Sequence, residues 1–556
     1  MSDTARGGNF VSSLHQAPLH LEQLEERIAP AGGVIVVATG GNLVVTGDDD
    51  GNTIEINQSG LGPGQVMIVG DGTTVNGSLD PLELDGITGA ITVNLKGGDD
   101  TLTMQPFRVE GNLKVDAGAG NDKVYISGDF ARNVLLNGGE GTTDISVDAQ
   151  IAGNLTIKNG TGFDAISLEG AVVKNVLISN GRGGSDLDIM AGAGGNVTVK
   201  NLDGDDAVSI DGVTVTGKVT IDNGNGNATV TSQSTNFLSG LTIAGKEGTD
   251  HISLQGAQVV GNVSVSTGAG DTQFDIGSVT TVTGVFAVKA GLGRDAYSID
   301  GLSVAKRLSL ANGDGDTVMN AQLLDVAGAV TIRNGDGYDE LYVSNGRIEG
   351  AVTIANGSGG SKTGITDNCV IGYGGTAAFN FKMANGSGDD VVNLADATLG
   401  KNFALNNGAG ANETFLNHIV AKGTVSVVGG AGQDTVRMLE VSADGKVAVS
   451  LGAESDLIEV DQSSFHNAVT FATGGGNDLI RIDIVYAWYT YFSKPVVFSM
   501  GDGDDEIHVG VNTDRNAHFY DRVLFDGGAG NDLADIYNHD NKFDVEPVRR
   551  NFETVE

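Results

Sequence analysis

The chain has 556 residues, 40% of them apolar, which is too hydrophobic for wholesale disorder and long enough to bury a large core. With 86 glycines, only 7 prolines and 5% aromatics, it must make many tight turns and build its core from Val, Ile, Leu and Ala. A formal net charge of −39 makes nucleic acid and anionic membrane poor partners and favours multivalent cations.

In chain order, residues 1–33 precede any strand pattern and read as a targeting or capping segment. They lack the basic-then-apolar start of an ordinary secretory signal, and no run of 18 apolar residues offers a membrane span. Residues 34–99 read as irregular first coils. From Asp100 onward a glycine turn closes on one fixed slot, occupied in succession by Asp100, Asp122, Thr143, Asp164, Ser185, Asp206 and so on to Asp434, Asp456, Asp478, Asp505 and Asp532. The slot recurs every 21–23 residues, apart from a 29-residue step from Ser361 to Asp390 and two final steps of 27. Apolar residues sit nine and seven places before the slot and two and four places after it, as Leu155, Ile157, Ile166 and Leu168 do around Asp164. Both pairs alternate with polar residues, the period of a strand with one buried face. A third short apolar patch, such as "GAVVKN", completes the unit.

A unit of two or three short strands at constant length cannot bury its apolar face alone, but stacked copies can. The fold class predicted is all-β: a single elongated parallel β-solenoid (β-helix) of about 20 coils with roughly 22 residues per coil. At ~4.8 Å per coil the rod is on the order of 100 Å long. A globular set of hairpins is the competitor, disfavoured by the constant period and the lack of paired two-residue hairpin turns. The regular solenoid is expected over 100–483, with an insertion at 362–389 that holds the single cysteine, Cys369. Wider terminal coils follow at 484–540, with the aromatic stretch "IVYAWYTYF", and then a C-terminal tail at 541–556. One cysteine allows no intrachain disulfide, and its neighbours suggest a small buried residue.

The glycine turn carries the chemistry. "GGAGQDTVR" (429–437) and "GGAGNDLAD" (527–535) resemble the G-G-x-G-x-D-x-U-x nonapeptide of RTX (hemolysin-type) calcium-binding repeat proteins. The resemblance implies Ca²⁺ held between stacked turns by Asp carboxylates and by the carbonyls of Gly429, Gly430, Gly432, Gly527, Gly528 and Gly530. It departs from that family in carrying one such turn per roughly 22 residues rather than one per nine, so it implies one calcium edge at most. The slots alternate between Asp and Thr, Ser, Ala or Asn from Asp122 to Asn412, and are all Asp from Asp434 onward. Stacked carboxylates repel unless a cation lies between them. Calcium is therefore expected most at Asp434, Asp456, Asp478, Asp505 and Asp532, next between Asp100 and Asp122, and weakly or not at all in the middle. The alternative needs no metal: a slot Asp accepts hydrogen bonds from the N–H groups of its own turn.

No catalytic residue set emerges. The eight histidines form no metal pair or triad by spacing, and "VNTDRN" (511–516) lacks its companion pectin-hydrolase motifs. Tyr486, Trp488, Tyr489 and Tyr491 offer a surface on which a sugar could stack, or else a bulge that widens or caps the solenoid. Finally, "LHLEQLEERIAPAG" (19–32) resembles the short L-E-x-R-x-x-P segment of planctomycete exported and cell-surface proteins, through Leu24, Glu25, Arg27 and Pro30. That implies delivery outside the cytoplasm. The expected function is a secreted or cell-surface calcium-binding β-solenoid with a structural, adhesive or matrix role. Polysaccharide or other cell-surface components, and self-association, are the partners considered. The alternative is a carbohydrate-active parallel β-helix, either a polysaccharide lyase or hydrolase or a sugar-binding protein.

Overall fold

The computed structural model describes residues 32–374, 377–484, 489–510, 517–536 and 541–556. The described residues include no helix; the structure is 59% strand and winds into a parallel β-solenoid of about 20 turns with ~22 residues per turn. No helix among the described residues is long and apolar enough to cross a membrane.

A middle coil illustrates the unit. Lys218–Asp222, Ala228–Gln233 and Asn236–Phe237 are its three strands. Each pairs in parallel with its counterpart one coil on: Val219 with Leu241, Ala228 with Asp250, and Phe237 with Val259. The alternating residues predicted to be buried point inward, so Val219, Ile221, Val230 and Phe237 join one continuous core that runs the length of the rod. Strand pairing keeps the slots in step, with Asp122 beside Thr143, Thr143 beside Asp164, and so on to Ser361 beside Asp390. The sequence spacing is therefore the physical spacing of one turn.

The ends depart from the coil. At the start, Gly33–Thr39 and Asn42–Thr46 form an antiparallel hairpin about Gly40 and Gly41, a two-residue turn of the kind not expected from the sequence. Thr53–Asn57 pairs antiparallel with Val66–Gly70, which pairs antiparallel with Leu82–Leu84. Thr53–Asn57 also pairs in parallel with Thr101–Val109, and so joins this cap to the solenoid. At the other end, residues expected as a tail build a further coil. Lys542 and Phe543 pair with His518 and Phe519, Val548–Arg550 with Leu524–Asp526, and Thr554 and Val555 with Leu533 and Ala534.

Within the 29-residue step, Val370–Ile371 and Phe381–Ala384 keep their places in the stack, and the extra length leaves as a small hairpin, Tyr373–Gly374 against Ala377–Ala378. Cys369 is buried; its backbone neighbour Gly346 donates to Sγ at 3.2 Å and Sγ donates to Thr366 O at 3.0 Å. The wide terminal coils fill their section with stacked phenyl rings: Phe492 on Phe519 at 4.7 Å, Phe519 on Phe543 at 5.0 Å and Phe498 on Phe525 at 5.0 Å. Such ring pairs add ~0.5–1.5 kcal/mol each beyond their burial.

Candidate functional site: a buried file of carboxyl groups

The G-x-G-x-D turn is shaped first by packing between coils. A Cβ on Gly430, Gly452 or Gly474, four places before the slot, would overlap the carbonyl oxygen of Gly408, Gly430 or Gly452 in the preceding coil. Two places before the slot, a Cβ on Gly432 or Gly530 would overlap the carbonyl oxygen of Gly410 or Gly503. Side chains at these glycines would drive the coils apart, although Lys96, Leu202 and Lys246 stand in the first row and Glu454 in the second. The leading Gly429 and Gly527 add a second reason: a Cβ there would meet the carboxyl of Asp434 or Asp532 folded beneath the turn, and on Gly527 also the carbonyl oxygen of Asn551 in the next coil. Several carbonyls of the glycine row are already acceptors, Gly430 O from Ala453 N at 3.2 Å and Gly452 O from Gly475 N at 2.9 Å.

The slot side chains point inward, and every aspartate among them from Asp100 to Asp532 is buried. Two hydrogen-bonding regimes divide the file. Where aspartates follow one another, the slot N–H of one coil donates to the carboxyl of the next: Asp434 to Asp456 Oδ1, Asp456 to Asp478 Oδ1 and Asp478 to Asp505 Oδ1, each at 2.8 Å, and Asp505 to Asp532 Oδ1 at 3.0 Å. The same bond joins Asp100 N to Asp122 Oδ1 at 2.9 Å. In the alternating middle most slot N–H groups instead bond a backbone carbonyl of the next coil, as Ser185 does to Asp205 O and Asp206 to Asn227 O. There a hydroxyl serves the carboxyl: Ser185 Oγ donates to Asp206 Oδ1 at 2.8 Å, and Ser361 Oγ to Asp390 Oδ1 at 2.6 Å. At Asp206 and Asp390 the alternation of Asp with Ser thus has a structural reason, a neutral donor beside the buried acid.

The file extends beyond the slots named from the sequence. Asn52 N–H donates to Asp100 Oδ1 at 2.7 Å at one end, and Asp532 N–H to Glu553 Oε2 at 2.8 Å at the other. A second inner row also escaped notice. Asn159, Asn180, Asn201 and Asn223 pass side-chain amide hydrogen bonds from coil to coil at 3.1, 2.9 and 3.2 Å. Asn312, Asn334, Asn356, Asn385 and Asn407 do the same at 2.7, 2.9, 2.8 and 3.2 Å. The signal was the recurring Asn-Gly at the head of the turn, readable as turn chemistry alone.

Burial raises the pKa values of the file. Asp100, Asp164, Asp339 and Asp456 are pushed up to about 7 and Asp122, Asp206, Asp295, Asp390 and Asp505 to about 6, desolvation being the largest cause in each. Neighbouring carboxylates add to it: Asp122 on Asp100, Asp478 and Asp434 on Asp456, and Asp478 and Asp532 on Asp505. Burial likewise raises Asp434, Asp478 and Asp532.

Whether these groups suit calcium turns on their unbonded oxygens. Asp434 and Asp456 have none, because Gly430 N and Gly452 N donate to their Oδ2 atoms at 3.1 Å each. Asp478, Asp505 and Asp532 each keep a buried Oδ2 with no hydrogen-bond partner, as do Asp100 and Asp122. Those are hard oxygen donors in consecutive coils, the chemistry a calcium ion selects. They fall short of the six to eight oxygens it takes, and among the described residues no group of three or more His, Cys, Asp or Glu converges on a metal position. Asp164, Asp206 and Asp390 also keep one unbonded oxygen and Asp295 and Asp339 two, but in alternate coils; free oxygens on acids of successive coils occur in the two runs Asp478–Asp505–Asp532 and Asp100–Asp122.

Of the four aromatics singled out, Tyr486 and Trp488 lie outside the described residues, as do "VNTDRN" and the L-E-x-R-x-x-P motif at 24–30; Tyr489 and Tyr491 stand exposed on the outer surface. Comparison of the chain with family models, with curated proteins and with solved structures finds no match.

Proposed function

We propose that this chain is a structural rod of the cell surface or extracellular matrix, with an adhesive or scaffolding role, whose interior carboxyl file is neutralised by calcium where free oxygens follow one another. The observation that carries this reading is the file of buried carboxyl groups, whose consecutive members are bonded coil to coil and keep unbonded oxygens at Asp100 and Asp122 and at Asp478, Asp505 and Asp532. A buried carboxylate without a counter-charge is costly. Either a cation or a proton must cancel it. Outside the cytoplasm millimolar calcium suffices for weak sites of few ligands, and binding only the folded chain converts directly into stability. A secreted location rests on the resemblance of residues 19–32 to an export segment.

A second reading keeps the rod and replaces calcium by protons. It is favoured by the bonded oxygens of Asp434 and Asp456 and by the low count of free ligands per coil. Thermal melts at about pH 8 with millimolar Ca²⁺ or with chelator separate the two. Calcium is expected to raise the midpoint by several degrees, and the gain is expected to fall in Asp478→Asn and Asp505→Asn but not in Ser185→Ala. A midpoint indifferent to calcium at that pH leaves the proton reading alone.

A further inference from the structure

Where the first widened coil meets the regular coils before it, the outer surface carries a groove that the carboxyl file does not explain. On the outer face of the third strands, residues align coil by coil as Val420, Ser442, Ser464, Tyr491, His518 and Lys542. The row is free of aromatics until the coils lengthen from 22 to 27 residues, and the rings then arrive together. Tyr489 and Tyr491 lie 6.1 Å apart and are 40% and 36% exposed; Tyr491 lies 6.5 Å from His518, which stacks on Tyr520 at 3.8 Å. Beside the tyrosines, His418, Glu440, Ser442, Gln462 and Ser464 complete a groove of about 400 Å³.

We propose that this groove binds a saccharide chain, laid along the solenoid axis, with neutral or amino-bearing sugar rings. The lining supplies both halves of sugar recognition. Exposed, tilted phenol rings match the apolar faces of pyranose rings, and carboxylate, amide and hydroxyl groups in the neighbouring coils offer acceptors and donors to ring hydroxyls. The row is straight and repeats at the coil spacing, so an extended polymer meets equivalent positions in successive coils. Charge sets the choice among glycans. Glu440 lines the groove, bonding His418 Nε2 at 2.6 Å, and Asp396 bonds the same imidazole through Nδ1 at 3.1 Å. With the chain's net charge of −39, these acids disfavour uronic-acid polymers and favour neutral or cationic ones. This inference is independent of calcium and stands or falls separately from it.

Calorimetric titration of the full chain tests it, using cellohexaose, a chitosan hexamer and a hexagalacturonate as probes. Binding of either of the first two, with the third much weaker, is expected. Tyr491→Ala and Glu440→Gln are each expected to weaken binding about tenfold, while Tyr491→Phe, which keeps the ring, stays near the parent. Both positions are solvent-facing, so circular dichroism should show the coils intact. No binding of either favoured probe, binding equally strong to the uronate, or binding indifferent to Tyr491→Ala overturns the proposal.

Discussion

Raising the pH of the calcium-free chain from about 5 to about 8 is expected to lower its thermal midpoint, the reverse of the usual behaviour of paired surface carboxylates. The sign follows from proton binding. Asp100 and Asp456 hold their protons up to about pH 7 and Asp505 up to about pH 6 in the folded chain, raised mainly by burial with neighbouring carboxylates adding to it. In the unfolded chain they titrate near 3.8. Between those values the folded state binds more protons, so stability falls as pH rises through roughly 4 to 7 and levels off above. Each unit of displacement is worth about 1.4 kcal/mol per group, and cations or local opening will absorb part of it. Asp505→Asn should remove one contribution and raise the midpoint at pH 8. Asn412 demonstrates the arrangement, accepting from Asp390 N at 3.0 Å while its amide donates to Gly410 O at 3.0 Å and Asp434 Oδ1 at 2.8 Å. Asp456→Asn should do worse, because Gly452 N already donates to the atom an amide would replace. Melts of the three chains at both pH values decide this; equal pH dependence in all three would contradict it.

The second large effect is steric and is confined to one atom. In "TGGGND" the three glycines are consecutive, but only the outer two face the preceding coil. Gly474 and Gly476 have φ of +118° and +126°, and a Cβ on either would overlap the carbonyl of Gly452 or Glu454. Gly475 between them has open space, its nearest neighbour being Asp502 O at 3.9 Å. Gly474→Ala is therefore expected to cost about 3 kcal/mol or more, by clash and by backbone strain together. Gly475→Ala should stay within about 0.5 kcal/mol. Denaturant midpoints of the two variants check it, and comparable losses would mean that the turn does not set the coil spacing.

Much of the architecture was legible because one period governs everything. The slot of each coil lies beside the slot of the next, so reading Asp164 and Ser185 as equivalent was reading a strand pair. The change from alternating to continuous aspartate also recurs as a change in hydrogen bonding, from backbone carbonyl acceptors to carboxyl acceptors. What stayed hidden had no periodic signature. The antiparallel cap at Gly33–Thr46 is a single copy, and its Gly40–Gly41 turn is lost among 86 glycines. The last coil, with Thr554 and Val555, lacks the glycine motif that marked the others, although Glu553 carries its acid. The row through Asn180 was visible as letters but not as a ladder, because Asn before Gly is also ordinary turn chemistry. The motif itself misled in one respect: its glycines are demanded by coil-to-coil contact whether or not a metal binds.

The central claim is that the interior file carries a cancelling ion on its carboxyl groups. Infrared spectroscopy of the folded chain at about pH 6, without divalent cations, tests it most directly through the carbonyl stretch of protonated carboxylic acids. A buried-acid band is expected that shrinks in Asp505→Asn, persists well above the titration range of unfolded aspartate, and partly converts to carboxylate when calcium is added. A folded chain with no protonated acid at that pH, and no carboxylate change on adding calcium, would contradict it.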